Sequence, residues 1–164
     1  MNHINKGKPF PLGSSLTPKG VNFSLVATNA EYVEILFFEK ENSEFPKTIF
    51  KLDQKNKTGP YWHAEISNLK EGCIYAFRIK QKNNDINNNY EKKVLLDPCS
   101  RGITGWGSYI RANALKTHEN TNSCLKSVVC DRKLFNFKDY PRPKHSWEET
   151  IIYELHIKAF TEST

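Results

Sequence analysis

Glu154 and His156 stand two positions apart in an apolar run, so on an extended chain their side chains share a face. A carboxylate beside an imidazole can form an acid–base couple or supply part of a metal site. Two ligands are too few for a zinc site. Asp97 precedes Pro98, and that pairing forms a turn more readily than it moves a proton. Cys73, Cys99, Cys124 and Cys130 contain no C-x-x-C pair and match no zinc spacing. They read as free thiols of a reducing compartment. The other candidates are aromatic. Tyr61, Trp62, His63 and Trp106 carry flat faces able to stack on a ring, a sugar included. Trp62 falls on the same side as Ala64 and Ile66, which favours the core, whereas Tyr61 and His63 point the other way. Trp106 lies between Gly105 and Gly107, where it either docks on a neighbouring domain or meets a ligand.

Strands must position these residues. Val21, Phe23, Leu25 and Ala27 alternate with Asn22, Ser24 and Val26, which predicts a half-buried strand. Tyr32–Glu39 is rich in β-branched and aromatic residues and predicts a second strand covered in part on both faces. Thr48–Asp53 predicts a weaker third. Tyr61–Asn68 alternates again, and Cys73–Lys80 follows a short turn at Leu69–Gly72, so the two segments read as a hairpin. Lys93–Leu96 predicts a short strand, or an approach to one, that stops at Asp97-Pro98. The stretch before Val21 reads as an irregular lead-in, and Gln81–Tyr90 as an exposed Asn-rich loop. With short strands and no helical period, two antiparallel sheets packed as a sandwich are expected.

The chain has 164 residues, enough for one domain with a real core and a tail. Its net charge is +6, but the basic residues form short scattered groups. Neither zinc-finger spacing nor a ribonucleoprotein-type aromatic motif is present, so nucleic acid is not an expected partner. No stretch approaches the roughly 18 apolar residues of a membrane span, and the first residues hold no apolar signal region. Phe135–Trp147, with Pro141 and Pro143 among aromatics, reads as a fixed linker. Thr150–Phe160 is strand-like. A strand as apolar as Ile151–Leu155 expects neighbours on both sides, which implies truncation within a larger protein.

The segment Ser146–Thr161, SWEETIIYELHIKAFT, resembles the entry into the catalytic barrel of debranching enzymes of the isoamylase and bacterial glycogen-debranching type. These belong to the α-amylase superfamily, glycoside hydrolase family 13. Trp147, Glu148, Thr150, Ile152, Tyr153, Glu154, Leu155, His156, Lys158, Phe160 and Thr161 carry the resemblance, with Ala159 where the family has Gly. Gly7, Pro9, Pro11, Leu12 and Gly13, followed by Gly20–Ser24, resemble the start of the family's N-terminal module. Leu95-Leu96-Asp97-Pro98 is similar to the LLDP that closes it. Asp131-Arg132, Phe135, Phe137 and Pro141–Pro143 resemble the family linker, with Cys130 in place of its first Asp. Related branching and trehalose-releasing enzymes share the module and the Y-E-x-H core, while the ending Lys158–Thr161 leans toward debranching.

The resemblance implies an all-β, immunoglobulin-like (early-set) β-sandwich, similar to carbohydrate-binding family 48. It would occupy residues 21–98, or extend to about 112, after a lead-in over 1–20. A linker over 113–149 and the first strand of a truncated (β/α)8 barrel over 150–164 would follow. The parent would hydrolyse α-1,6 branch points of glycogen or starch with a retaining carboxylate pair. That pair lies late in the barrel, so this chain is expected to be inactive, with no catalytic residue, metal ligand or cofactor site. Tyr61, Trp62, His63 and Trp106 become candidate glucan contacts. Trp147, Tyr153, Glu154 and His156 become candidate interdomain residues. The expected partners are α-glucan and the missing barrel in cis, and the expected compartment is a bacterial cytoplasm, or a plastid in a photosynthetic eukaryote. A stand-alone glucan-binding module, the N-terminal part of a branching enzyme or malto-oligosyltrehalose trehalohydrolase, and a scaffold sandwich with no sugar role are the alternatives.

Overall fold

The structure is a computed structural model that describes residues 3–82, 92–131, 144–156 and 160–161. Most of the Asn-rich loop and of the Pro-rich linker, together with Lys158 and Ala159, lie outside the described residues. The chain divides into two compact units, Met1–Arg132 and Lys133–Thr164.

The first unit is built from two antiparallel sheets. One holds β1 (Ile4–Asn5), β7 (Tyr61–Ser67), β3 (Gly20–Val26) and β2 (Gly13–Thr17) in that order, with β6 (Lys57–Thr58) also on β7. The other runs β5 (Thr48–Leu52), β4 (Ala30–Phe38), β8 (Ile74–Gln81), β10 (Lys126–Val128) and β9 (Gly102–Thr104). A short helix, α1 (Arg111–Leu115), lies between β9 and β10.

Period-two alternation explains the core. Val21, Phe23 and Leu25 of β3 and Trp62, Ala64 and Ile66 of β7 are buried with Val33, Ile35 and Phe37 of β4 and Tyr75 and Phe77 of β8. Phe23 bridges the sheets, its ring edge-on to Phe37 at 5.5 Å and to Tyr75 at 4.9 Å. Each such ring pair contributes about 0.5–1.5 kcal/mol beyond area burial. The alternate residues of β4, Leu36 and Phe38, are buried too, against Val94 and Cys124. The second sheet is therefore covered on both faces, and the apolar run of β4 follows from that.

Three expectations change. β7 and β8 do not form a hairpin: β7 pairs with β3 and β8 with β4, in different sheets. Gly72 N donates to Val129 O at 2.8 Å, so the intervening turn crosses between sheets and ties to the chain after β10. The lead-in is not irregular throughout, since it supplies β1 and β2. β2 escaped notice because Gly13-Ser14-Ser15 carries little apolar signal. The second sheet also takes β10 from residues assigned to the linker.

In the second unit, Thr150 Oγ1 donates to Ser146 O at 2.7 Å and closes a turn. The barrel strand expected over 150–164 is not formed among the described residues, since residues 151–156 carry no strand assignment. Ile151 is 95% exposed and Tyr153 77%. An apolar extended segment becomes a strand only when another strand satisfies its backbone.

Candidate functional site

The outer face of the first sheet presents Asn22 and Ser24 from β3 and Tyr61, His63 and Glu65 from β7. Residues 6–10 run across it as a strap. Asn22 pairs with Lys8 twice: Lys8 N donates to Asn22 Oδ1 at 2.7 Å, and Asn22 Nδ2 donates to Lys8 O at 2.9 Å. Ser24 Oγ donates to Pro9 O at 2.6 Å. His63 Nδ1 lies 2.7 Å from Lys6 O, which can only accept, so this nitrogen carries the hydrogen. Gly7, at φ +70°, lets the strap lie on β7, where a Cβ would come within 2.6 Å of the Ala64 carbonyl carbon and of Glu65 N.

The strap corrects one glucan candidate and the core corrects another. His63 does point away from the core, but the strap buries it, and its Nε2 is taken up by Thr58 Oγ1 at 2.9 Å. Trp62 is buried, and its Nε1 donates to Ala27 O at 3.0 Å, so no indole face is open. Tyr61 stays half-buried and packs on exposed Phe10, with centroids 4.7 Å apart.

Trp106 is 66% exposed, on a turn just after β9. That turn is tied down at several points. The Glu41 carboxylate accepts from Thr104 Oγ1, and also from Gly105 N at 3.3 Å. These bonds, the Thr104 one first, hold the Glu41 carboxyl below its ordinary range. Gly105 takes φ +95°, and its carbonyl accepts from Ser108 N at 3.2 Å. Ile110 N closes the turn on Ser123 O at 3.1 Å. Tyr109 stands edge-on to the indole at 6.2 Å and 78°.

Tyr109 also lines a cleft of about 210 Å³ with Leu95, Leu96, Leu125, Lys93 and Asn120. Its polar linings are already engaged. Lys93 Nζ donates to Asn113 O at 2.6 Å and Ala114 O at 2.8 Å. Asn120 brackets Val94, accepting from its N–H at 2.9 Å and donating to its carbonyl at 3.2 Å. Buried Lys126 donates to Glu41 O and Thr121 O, each at 2.8 Å. Burial pushes the Lys126 ammonium down and the Cys124 thiol up.

Tyr75 OH donates to Asp97 Oδ2 at 2.6 Å, and Asp97 Oδ1 accepts from Cys99 N at 2.8 Å, a bond that supports the turn reading of Asp97. Burial pushes both titrating groups up, opposed at Asp97 by those two hydrogen bonds. Among the described residues no cluster of three or more His, Cys, Asp or Glu side chains could hold a metal ion. In the second unit Trp147 (80%) and Tyr153 are exposed, as are Glu154 and His156. Sequence reading missed Phe10, Tyr109 and Glu41. Tyr109, three residues after Trp106 in a Gly-rich turn, was the readable one; Glu41 is distant in sequence and carries no local signal.

Residues 11–100 match the family model of carbohydrate-binding module 48 (isoamylase N-terminal domain). The chain is 28% identical, over 169 aligned positions, to a glycogen debranching enzyme of Pectobacterium carotovorum subsp. carotovorum, covering 99% of this chain and 25% of that one. It is 31% identical over 170 positions to a glycogen debranching enzyme of Erwinia tasmaniensis, covering 97% and 24%. The chain thus spans about a quarter of the length of the curated relatives it matches. Among solved structures, the catalytic module of the multi-modular glycogen-degrading pneumococcal virulence factor SpuA, in complex with an inhibitor, aligns with a TM-score of 0.54 at 16% identity. It covers 77% of this chain and 17% of that one. Apo pullulanase from Paenibacillus barengoltzii aligns with a TM-score of 0.51 at 16% identity, over 77% and 15%. At these identities the structural likeness speaks for the fold.

Proposed function

Given that this chain belongs to the carbohydrate-binding module 48 (isoamylase N-terminal domain) family, we propose that it is the non-catalytic module of a glycogen- or starch-debranching hydrolase. The parent would cleave α-1,6-glucosidic branch linkages, and this portion would contact the α-glucan without breaking it. The observation that carries the reading is the extent of the match: similarity to glycogen debranching enzymes runs over 97–99% of the chain. One feature supports a binding role: exposed Phe10 stands beside half-buried Tyr61, and exposed Trp106 beside half-buried Tyr109. Aromatic rings offer large apolar faces at low conformational cost. In the second unit, Trp147 and the apolar run Ile151–Tyr153 are exposed, and a catalytic barrel in cis would cover them.

The test is affinity electrophoresis of the 164-residue chain through glycogen, with dextran as the control. Retardation in glycogen alone is expected. Equal mobility in both gels, with circular dichroism showing a folded β domain, removes the glucan-contact reading and leaves a spacer.

A further inference from the structure

We infer that the Trp106 turn and the cleft beside it form a subsite for a linear α-1,4-linked stretch of glucan, with one ring on the indole and a neighbouring ring against Tyr109 in the cleft. The inference rests on the proposed glucan-contact function for the class of sugar, and on the local geometry for the place.

An indole left largely open to water usually sits on a mobile loop, but this one does not. Glu41 holds the start of its turn through Thr104 and Gly105, the Gly105–Ser108 bond closes it, and Ile110 N pins its end to Ser123. The ordering cost that binding would otherwise exact is met in folding. Tyr109 approaches edge-on, which props the indole without stacking face to face on it.

The lining chemistry selects the ligand. Tyr109 is shared between the indole and the cleft, whose wall and floor include Val94, Leu95, Leu96 and Leu125. The charged side chain of that lining, Lys93, directs its ammonium to the Asn113 and Ala114 carbonyls. An anionic ligand therefore gains little here, and the apolar C–H face of a neutral ring fits better. The cleft, about 210 Å³, is smaller than the roughly 300–1,000 Å³ of pockets that enclose drug-sized ligands. It suits one sugar ring of a chain whose next ring lies outside, on the indole.

The experiment titrates the full 164-residue chain, carrying Trp147→Phe so that Trp106 is the exposed indole reporting, with maltoheptaose and separately with cellohexaose. Saturable change of indole fluorescence with maltoheptaose alone is expected. Trp106→Ala should weaken maltoheptaose binding at least tenfold by calorimetry, and Tyr109→Ala by a smaller factor. Trp106→Phe should restore binding to within about threefold, since a ring is kept; circular dichroism confirms that each variant is folded. If the chain is retarded in glycogen and Trp106→Ala is retarded equally, this subsite is wrong while the glucan-contact function stands on another surface, such as Phe10 with Tyr61. Equal response to cellohexaose overturns the α-glucan assignment. If neither glycogen nor maltoheptaose is bound, subsite and function fall together, and the Trp106 face is left to a protein partner.

Discussion

Asn22→Ala tests whether the strap is what closes the outer face of the first sheet. Asn22 is buried and makes two hydrogen bonds to the backbone of one residue, Lys8. A typical intramolecular hydrogen bond contributes about 0.5–1.5 kcal/mol net, so losing both costs about 1–3 kcal/mol. Ser24→Ala removes the bond to Pro9 O and should cost about 1 kcal/mol. With a urea dependence of ~2 kcal/mol per molar, Asn22→Ala moves the unfolding midpoint down by about 1 M, and Ser24→Ala by about half that. The loss should also be local: amide exchange of residues 5–10 should quicken before that of β4 or β8, because opening the strap leaves the core between the sheets intact. Chemical denaturation read by far-ultraviolet circular dichroism, together with peptide-level hydrogen exchange, checks both parts. An unchanged midpoint would refute the reasoning. So would a loss of the expected size in which residues 5–10 keep their protection, since the energy would then have come from elsewhere in the sheet.

Two further outcomes follow from buried polar groups. Burial raises the Asp97 carboxyl above its ordinary value of 3.8, so the folded state holds that proton to higher pH than the unfolded state does. Between the two values the folded state carries more protons, so this group's contribution to stability falls as pH rises. Wild type minus Asp97→Asn stability, from urea unfolding at several pH values, should therefore be greatest below the ordinary value of 3.8 and shrink as pH rises above it; a difference that grows with pH would contradict the burial argument. Lys126→Met removes the donor shared by the Glu41 and Thr121 carbonyls, and each stranded acceptor costs about 1–3 kcal/mol, partly offset by relieving a desolvated charge. A net loss of about 1–3 kcal/mol is expected at pH 7, and thermal or urea unfolding that shows a gain would mean the carbonyls find water.

The strands with an apolar face were legible. Val21–Leu25 and Trp62–Ile66 alternate cleanly, and both point into the core as the alternation requires. β4 was legible as a run covered on both faces. β2 and β10 were not, because Ser14, Ser15 and Ser127 hide a strand under a polar signature. Of the candidate contacts, Trp62 could be assigned from its side of β7. His63 could not, because its burial depends on a strap more than fifty residues earlier in the chain.

By itself, the sequence determined which side of each apolar-faced strand looks inward, as in β3 and β7, because side-chain direction along a strand repeats every two residues whatever lies beside it. It also carried the family, through motifs spread along the chain. Tertiary structure alone decided which strand pairs with which. Backbone hydrogen bonds are the same for any partner, so β7 and β8, separated by a short turn, could join different sheets without leaving a local trace. Only the tertiary structure, too, set how Trp106 is held: its anchor is Glu41, sixty-five residues away, and a short carboxylate side chain gives no warning in sequence of the turn it will reach.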